Sequence, residues 1–138
     1  MHHIIYLSQA KADLTPADLL TILRQARANN QRQHVTGALV YGRGQFMQVL
    51  EGEEAVVTAI YQQIVTDPRH EAAFKLADKP IRGRSFQDWS MAFAELTSVQ
   101  FDALTGYASP VEFEQQPSLG SLIDNLLLER MKELLRPI

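Results

Sequence analysis

The chain has 138 residues, of which 46% are apolar, and this suits a single domain with a sizeable core. The absence of cysteine excludes disulfides, thiolate metal sites and a cysteine nucleophile, and it is compatible with a reducing cytoplasm. The net charge of −3 is mild and gives no nucleic-acid footprint. No segment has the layout of a signal peptide or the length of a membrane span, so we expect a cytoplasmic protein without membrane contact.

The first predicted element is a strand over His2–Ser8, because this run is apolar and β-branched, as is typical of a central strand. Side chains alternate between the faces of a strand, so Tyr6 shares its face with Ile4. Taken alone, Tyr6 is a core tyrosine whose hydroxyl bonds to a neighbouring group. His2 and His3 point to opposite faces, which excludes them as a metal-binding pair.

The next element is a helix with a clear start signal. Thr15 suits the N-cap, Pro16 the first helical position, and Asp18 the positive end of the helix dipole. We predict that this helix ends near Asn29 and Asn30, because asparagine tolerates the left-handed conformation that closes helices. The apolar side of the helix consists of Leu19, Leu20, Ile22, Leu23 and Ala26. The first interpretation of the arginines in this helix is that they lie on its solvent-exposed face. They are Arg24, Arg27 and Arg32.

A β-hairpin is predicted next, with strands Val35–Tyr41 and Gln45–Glu51 joined by Gly42-Arg43-Gly44. Glycines at such a junction supply the positive φ values that a tight hairpin needs. Gln48 lies on a strand face whose other members are apolar. An unpaired buried amide costs roughly 1–3 kcal/mol, so this side chain needs partners. Backbone groups or buried water would satisfy it in a plain core, and the strand alone does not identify another partner.

The second half continues with a helix over Glu53–Val65, which Asp67-Pro68 stops. A strand over Phe74–Ile81, a turn at Gly83–Ser85 and a strand over Trp89–Leu96 follow. The apolar side of the helix consists of Val56, Val57, Ile60, Tyr61, Ile64 and Val65. Alternation on the last strand predicts a shared face for Trp89, Met91 and Phe93.

This order predicts an α+β fold, a ferredoxin-like βαββαβ sheet with an added strand and two helices on one face. Because the first three strands are apolar on both faces, the opposite face also needs a cover. We expect residues 1–96 to form one domain and residues 97–138 a helical extension on that face, with a short helix near Ser98–Thr105. Alternatively, the apolar stripe of the extension pairs with another chain. The stripe consists of Leu119, Leu122, Ile123, Leu126, Leu127, Met131, Leu134 and Leu135.

Several separated motifs, in order, are similar to those of BLUF domains, a family of blue-light sensors that use FAD. The similarity covers Ile4–Phe93. The motifs are Tyr-Leu-Ser at Tyr6–Ser8, Ala-Arg-Ala-Asn-Asn at Ala26–Asn30, Val-Thr-Gly-Ala-Leu at Val35–Leu39, Gly-Gln-Phe-Met-Gln-Val-Leu-Glu-Gly at Gly44–Gly52, Asp-Pro-Arg-His at Asp67–His70 and Phe-Gln-Asp-Trp-Ser-Met at Phe86–Met91. The chain departs from the pattern at Gln33-His34, where the family often has glycine and isoleucine.

The resemblance implies that FAD lies between the two helices, with Ile22 and Ile64 on either side of the flavin ring. Asn30, and with it Asn29, would hydrogen-bond to the polar edge of the ring. Gln48 would lie between Tyr6 and the flavin. These two groups would then supply the hydrogen-bond partners that its buried amide needs. The alternatives are helix capping for the asparagines and plain helix–helix packing for the isoleucines. The candidates for contacts at the phosphate end are Arg27, Arg69, His70 and Lys75.

The resemblance also implies a photochemical function. Tyr6 would give an electron and then a proton to the excited flavin, and the return would leave Gln48 with changed hydrogen bonds. Trp89 and Met91 would sense that change, and Met91 would contact the cofactor, although both also suit ordinary core packing. No substrate is turned over, so we predict no enzyme, and the signal would pass to a partner protein or through a homo-oligomer. The alternative is a ferredoxin-like interaction or small-ligand module without photoactivity.

Overall fold

The computed structural model of the chain describes residues 1–87, 89–105 and 117–135. The strands are β1 (His2–Ala10), β2 (Thr36–Gly42), β3 (Gln45–Gly52), β4 (His70–Pro80) and β5 (Ala92–Glu95). The helices are α1 (Pro16–Gln33), α2 (Glu54–Thr66), α3 (Ser98–Thr105) and α4 (Pro117–Leu134). The strands form one sheet in the order β4-β1-β3-β2-β5, and only β5 pairs with its neighbour in parallel. The predicted ferredoxin-like sheet with an added strand is confirmed.

Alternating side chains of β1 and β3 supply two separate hydrophobic cores, one on each face of the sheet. The core under α1 and α2 includes Ile4, Tyr6, Leu19, Ile22, Leu23, Phe46, Leu50 and Val57. The core under α3 and α4 includes Ile5, Met47, Val49, Phe101, Leu104, Leu127, Leu128 and Met131. The predicted placement of two helices on one face and the C-terminal helices on the other is therefore confirmed.

The apolar stripe of α4 differs in part from its prediction. Leu127, Met131 and Leu135 are buried against the sheet, and so is Leu128, which the predicted stripe omits. Leu126 is 45% exposed, so it does not belong to the buried side of the helix. The predicted positions Leu119, Leu122 and Ile123 lie outside the side chains that the structure describes.

Helix α1 begins as predicted and ends later than predicted. The Thr15 hydroxyl accepts from the Asp18 amide at 3.1 Å, and the Asp18 carboxylate accepts from the Thr15 amide at 3.0 Å, which completes a capping box. The helix continues through Asn29 and Asn30 and closes at His34, whose φ of 57° and ψ of 40° are left-handed. The predicted end at the asparagines was wrong, since tertiary contacts of Asn30 hold it inside the helix. Leu20 is 47% exposed and does not join the core.

We expect His34→Gly to stabilise the protein, because a left-handed residue is strained unless it is glycine. The gain should be about 0.5–1 kcal/mol in the free energy of unfolding, after allowance for the greater freedom of glycine in the unfolded chain. Thermal unfolding followed by circular dichroism measures it as a higher Tm. The matched control is Gln33→Gly inside the helix, which should lower Tm. A Tm unchanged or lowered by His34→Gly would contradict this explanation of the helix end.

The β2–β3 hairpin turns at two residues rather than at the predicted three. Gly42 belongs to β2, and the loop consists of Arg43 with φ of 51° and Gly44 with φ of 69°. Two consecutive positive φ values match the twist of antiparallel strands. The Arg43 guanidinium lies 2.9 Å from the carboxylate of Asp102 on α3, which joins the turn to the C-terminal helices.

The last two strands depart most from the prediction. β4 begins at His70 instead of Phe74, and β5 is confined to four residues, so Trp89 and Met91 precede it. The fully buried carboxylate of Glu51 holds the preceding segment, because it accepts from the amides of Ser85 at 2.5 Å and Phe86 at 2.9 Å. Among the described residues, no helix is long and apolar enough to cross a membrane.

Candidate functional site

Tyr6 and Gln48 are directly opposite each other on β1 and β3, and they form the centre of the site. Both side chains are buried, and the Tyr6 hydroxyl donates a hydrogen bond to Gln48 Oε1. Gln48 Nε2 donates in turn to Met91 Sδ at 3.6 Å, although thioether sulfur is a weak acceptor. The partners that the sequence required for the Gln48 amide are therefore two side chains distant in the chain.

The Tyr6 phenol is held in its protonated form. Burial raises the pKa of Tyr6 well above its ordinary value, and the nearby Tyr61 and Asp67 raise it further. The Tyr61 ring packs edge-on against Tyr6 with ring centroids 5.4 Å apart. Since the phenol stays neutral throughout the ordinary pH range, Gln48 Oε1 always faces a hydrogen-bond donor in this arrangement.

A cavity of about 180 Å³ lies between α1 and α2, with Gln48 in its wall. Its apolar lining comes from both helices and from β2, and it consists of Ile22, Ala26, Leu39, Ile60 and Ile64. Its polar lining includes five carboxamides, those of Gln25, Asn29, Asn30, Gln48 and Gln63. Asn30 is buried and uses Nδ2 to donate to the Ser90 carbonyl at 2.7 Å. Apolar walls with a few amide groups suit a flat ring system that carries carbonyl and N–H groups on its edge.

The structure brings most of the predicted site residues together. Ile22, Asn29, Asn30, Gln48 and Ile64 line the cavity. Tyr6 and Met91 are behind Gln48 and reach it through hydrogen bonds. The contacts of these side chains with a cofactor stay predictions.

Trp89 was predicted on the same face as Met91 and Phe93, and that placement was wrong. Met91 and Phe93 pack in the core under α1 and α2, whereas Trp89 packs in the opposite core, with its ring 5.6 Å from that of Phe86. The alternation rule fails here because residues 89–91 precede the regular strand.

Six residues that line the cavity were not predicted as site residues: Gln25, Ala26, Leu39, Ile60, Gln63 and Asp67. Ile60 lies one helical turn before Ile64 and Gln25 one turn before Asn29, so helical spacing from the predicted residues was the signal for both. Asp67 was interpreted as a helix stop and as part of the Asp67–His70 motif, and nothing local in the sequence assigned it to the cavity.

Two of the four phosphate-end candidates, Arg69 and His70, line the cavity. Arg69 forms hydrogen bonds to the Asp67 carboxylate at 2.5–3.1 Å, and these hold the pKa of Asp67 below its ordinary value. Lys75 lies elsewhere, with Nζ 2.7 Å from Asp78 and 5.1 Å from the centroid of the Tyr61 ring. Arg27 is exposed, as predicted, and it also forms a hydrogen bond outside its helix.

Arg27 donates from Nε to the Met91 carbonyl at 3.1 Å. Three arginines of α1 were predicted to lie on the surface. Among their described contacts, only that of Arg27 reaches the segment before β5.

His70 should make the stability of the protein fall on the acid side of pH 6.5. Burial lowers the pKa of His70, so the neutral ring is favoured in the folded state, where Nδ1 lies 2.9 Å from Ser8 Oγ. The unfolded chain binds the proton first, and folding stability is lost as pH falls below the unfolded pKa of about 6.5, by at most about 1.4 kcal/mol per pH unit. Urea unfolding between pH 5 and pH 8 measures this slope.

The matched variants for this test are His70→Gln and His34→Gly. The first should flatten the acid slope, whereas the second replaces an exposed histidine and should keep it. An equal slope in His70→Gln and the parent protein would assign the acid sensitivity to other groups.

Comparison with known proteins identifies the family. The family described as sensors of blue-light using FAD, BLUF, matches residues 1–92. Photoactivated adenylate cyclase subunit beta of Euglena gracilis is 34% identical over 92 residues, which are 66% of this chain and 11% of that protein. Subunit alpha from the same organism is 36% identical over 83 residues, 60% of this chain and 8% of that protein. The chain thus spans about a tenth of the length of these relatives.

Solved structures give the same result over most of the chain. BlsA in its photo-activated state has a TM-score of 0.73 and 27% identity, with 99% of this chain and 96% of that chain covered. BlrB in its dark state has a TM-score of 0.68 and 26% identity, with coverages of 93% and 96%. A bacterial light-regulated adenylyl cyclase has a TM-score of 0.65 and 30% identity, with coverages of 94% and 36%. The chain therefore belongs to the BLUF family of blue-light sensors, whose cofactor is FAD.

Proposed function

We propose that Tyr6, Gln48 and Met91 form the relay through which this blue-light sensor converts absorption by FAD into a conformational signal. The observation that carries the proposal is the buried chain of hydrogen bonds from the Tyr6 hydroxyl through the Gln48 amide to Met91 Sδ. This chain starts at a protonated phenol, passes the wall of the cavity, and ends on the segment before β5. A signal that begins at the cavity can therefore reach the backbone of that segment through side chains alone.

The lining of the cavity supports a specific role for each predicted cofactor contact. Ile22 and Ile64 would hold the two faces of the flavin ring, and Asn29 and Asn30 would bond to its polar edge. Gln48 would bond to the inner edge with whichever amide group Tyr6 leaves free. At about 180 Å³ the cavity is smaller than the roughly 300 Å³ of typical ligand sites. The ring portion of FAD would thus occupy it while the remainder extends beyond the rim.

When bound, FAD supplies blue-light absorption and, once excited, an electron-accepting group. Tyr6 is the donor in this proposal, and as a neutral phenol it gives an electron and then its proton. Both return to Tyr6, so no net oxidation results and no substrate is consumed. The amide of Gln48 is left rearranged, by rotation or by tautomerisation, and it no longer donates to Met91 Sδ as before. Met91 then responds to the loss of that contact. Its response shifts the populations of the conformations of the segment before β5 and of the helices packed nearby.

The output is proposed to pass to a partner protein or through a homo-oligomer. In the Euglena photoactivated adenylate cyclases and the bacterial light-regulated adenylyl cyclase, the matched region is a minor part of a longer chain. For this chain, Val99 on α3 is 79% exposed and Leu126 on α4 is 45% exposed, which supports a contact through the C-terminal helices. Size-exclusion chromatography in darkness and under blue light tests the oligomer. The cytoplasmic location and the division at residue 96 also stay proposals.

The absorption spectrum of the purified protein, before and after blue light, tests the proposed function. We expect a yellow protein with a small red shift that reverses in darkness. A colourless protein that remains colourless after FAD is added would favour the alternative, a non-photoactive interaction or small-ligand module. A yellow protein without a shift would show that flavin binds while the relay from Tyr6 through Gln48 does not operate.

A further inference from the structure

The segment from Trp89 to Met91 is held by hydrogen bonds that its three consecutive backbone carbonyl groups accept. The Gly37 amide of β2 donates to the Trp89 carbonyl at 3.0 Å, and Asn30 Nδ2 donates to the Ser90 carbonyl at 2.7 Å. Arg27 Nε donates to the Met91 carbonyl at 3.1 Å. Two of the three donors are thus side chains of α1, because the segment precedes the regular pairing of β5 with β2.

Arg27 and Asn30 are three residues apart on α1, so they face the segment together. The carbonyl of Met91 belongs to the same residue whose Sδ accepts from Gln48 Nε2 at 3.6 Å. A contact at the Met91 carbonyl therefore restrains the backbone from which this side chain reaches Gln48. Arg27 is exposed, yet its Nε proton has a fixed direction in the guanidinium plane, which suits a single aligned hydrogen bond.

We propose that Arg27 is a positioning residue for the light response, because it holds the Met91 carbonyl and thereby keeps Met91 Sδ within reach of Gln48. This inference rests on the proposed function. The dark arrangement includes the Arg27 contact, and Met91 regains it when the dark arrangement reforms. Removal of the contact therefore destabilises the dark arrangement relative to the lit one. In this proposal the contact re-forms as Gln48 returns, so its removal also raises the barrier to return. The consequence is slower dark recovery with an unchanged amount of bound FAD.

The test compares Arg27→Gln with Arg24→Gln, an exposed arginine one turn earlier on the same helix. For each holoprotein we would measure the ratio of FAD to protein, the size of the light-induced shift and the rate of dark recovery. We expect recovery to slow about fivefold in Arg27→Gln, the scale for loss of one hydrogen bond, with little change in Arg24→Gln. Arg27→Lys should recover at an intermediate rate, since its ammonium is also a donor. In a Met91→Leu background, which lacks the sulfur acceptor, Arg27→Gln should have no further effect.

The outcomes separate this inference from the proposed function. If the parent protein shows no shift, the proposed function fails and the inference fails with it. If the parent shifts normally while Arg27→Gln recovers as fast as Arg24→Gln, only the role of Arg27 is overturned. Loss of FAD from Arg27→Gln, with normal recovery of the remaining holoprotein, would also overturn it and would assign Arg27 to cofactor binding. An equal slowing by Arg27→Gln in the Met91→Leu background would show that the effect does not pass through Met91.

Discussion

Gln48→Leu is expected to abolish the light-induced red shift while FAD stays bound. Leucine keeps most of the volume of the side chain, but it can neither accept from the Tyr6 hydroxyl nor donate to Met91 Sδ. No rearrangement of hydrogen bonds can then be stored at this position after the electron returns. The buried Tyr6 hydroxyl also loses its acceptor, which should lower the free energy of unfolding by about 1–3 kcal/mol. Difference absorption under blue light and urea unfolding measure the two effects.

The control for this variant is Gln45→Leu, a glutamine at the start of the same strand whose side chain points to the opposite face. It should bind FAD and shift normally. Retention of the full shift in Gln48→Leu would remove Gln48 from the relay, and the mechanism would then need another group between Tyr6 and the cofactor.

Tyr6→Phe is expected to have an equally large effect for a different reason. The phenyl ring preserves the edge-on packing against Tyr61, so the fold and the FAD content should remain close to those of the parent. The phenol proton and the electron donor are absent, however, and the path from the cofactor into Gln48 is lost. We expect no red shift and a longer-lived flavin fluorescence, because electron transfer no longer quenches the excited cofactor. Time-resolved fluorescence and difference absorption check both results.

Tyr41→Phe is the matched control, since Tyr41 is half-buried on β2 and packs against Phe46 at 5.1 Å between ring centroids. It should keep a normal shift and a short fluorescence lifetime. Normal photocycling in Tyr6→Phe would exclude Tyr6 as the donor, whatever the geometry of its hydrogen bond.

Local patterns in the sequence predicted the features that depend on neighbours in the chain. The capping residues of α1 and the alternation on β1 and β3 are of this kind, and alternation alone placed Gln48 beside an apolar core. The patterns failed where a distant contact decides the local structure. Asn30 stays helical while its side chain bonds to Ser90, sixty residues later. Trp89 and Met91 diverge because Gly37 and α1, rather than a regular strand, hold their backbone.

The prediction of the Tyr6–Gln48 pair needed both local sequence patterns and knowledge of distant contacts. Its two members could be proposed from separate strands, but their direct opposition follows from the register of β1 against β3, which no short stretch encodes. The contact between Arg27 and Met91 had no sequence signal, since three arginines on one helix look equivalent until the fold separates them.

The division of β3 between two cores has a consequence for protein engineering. Gln48 faces one core, whereas Met47 and Val49 face the other, so in the proposed function the cofactor site and the C-terminal helices use different side chains of one strand. We therefore expect that the α3–α4 layer can be redesigned for a new partner protein without a change in the residues that line the cavity. The segment from Trp89 to Met91 contacts both cores, as the central strands of the sheet also do, so such a redesign would need to keep its contacts for the two layers to communicate.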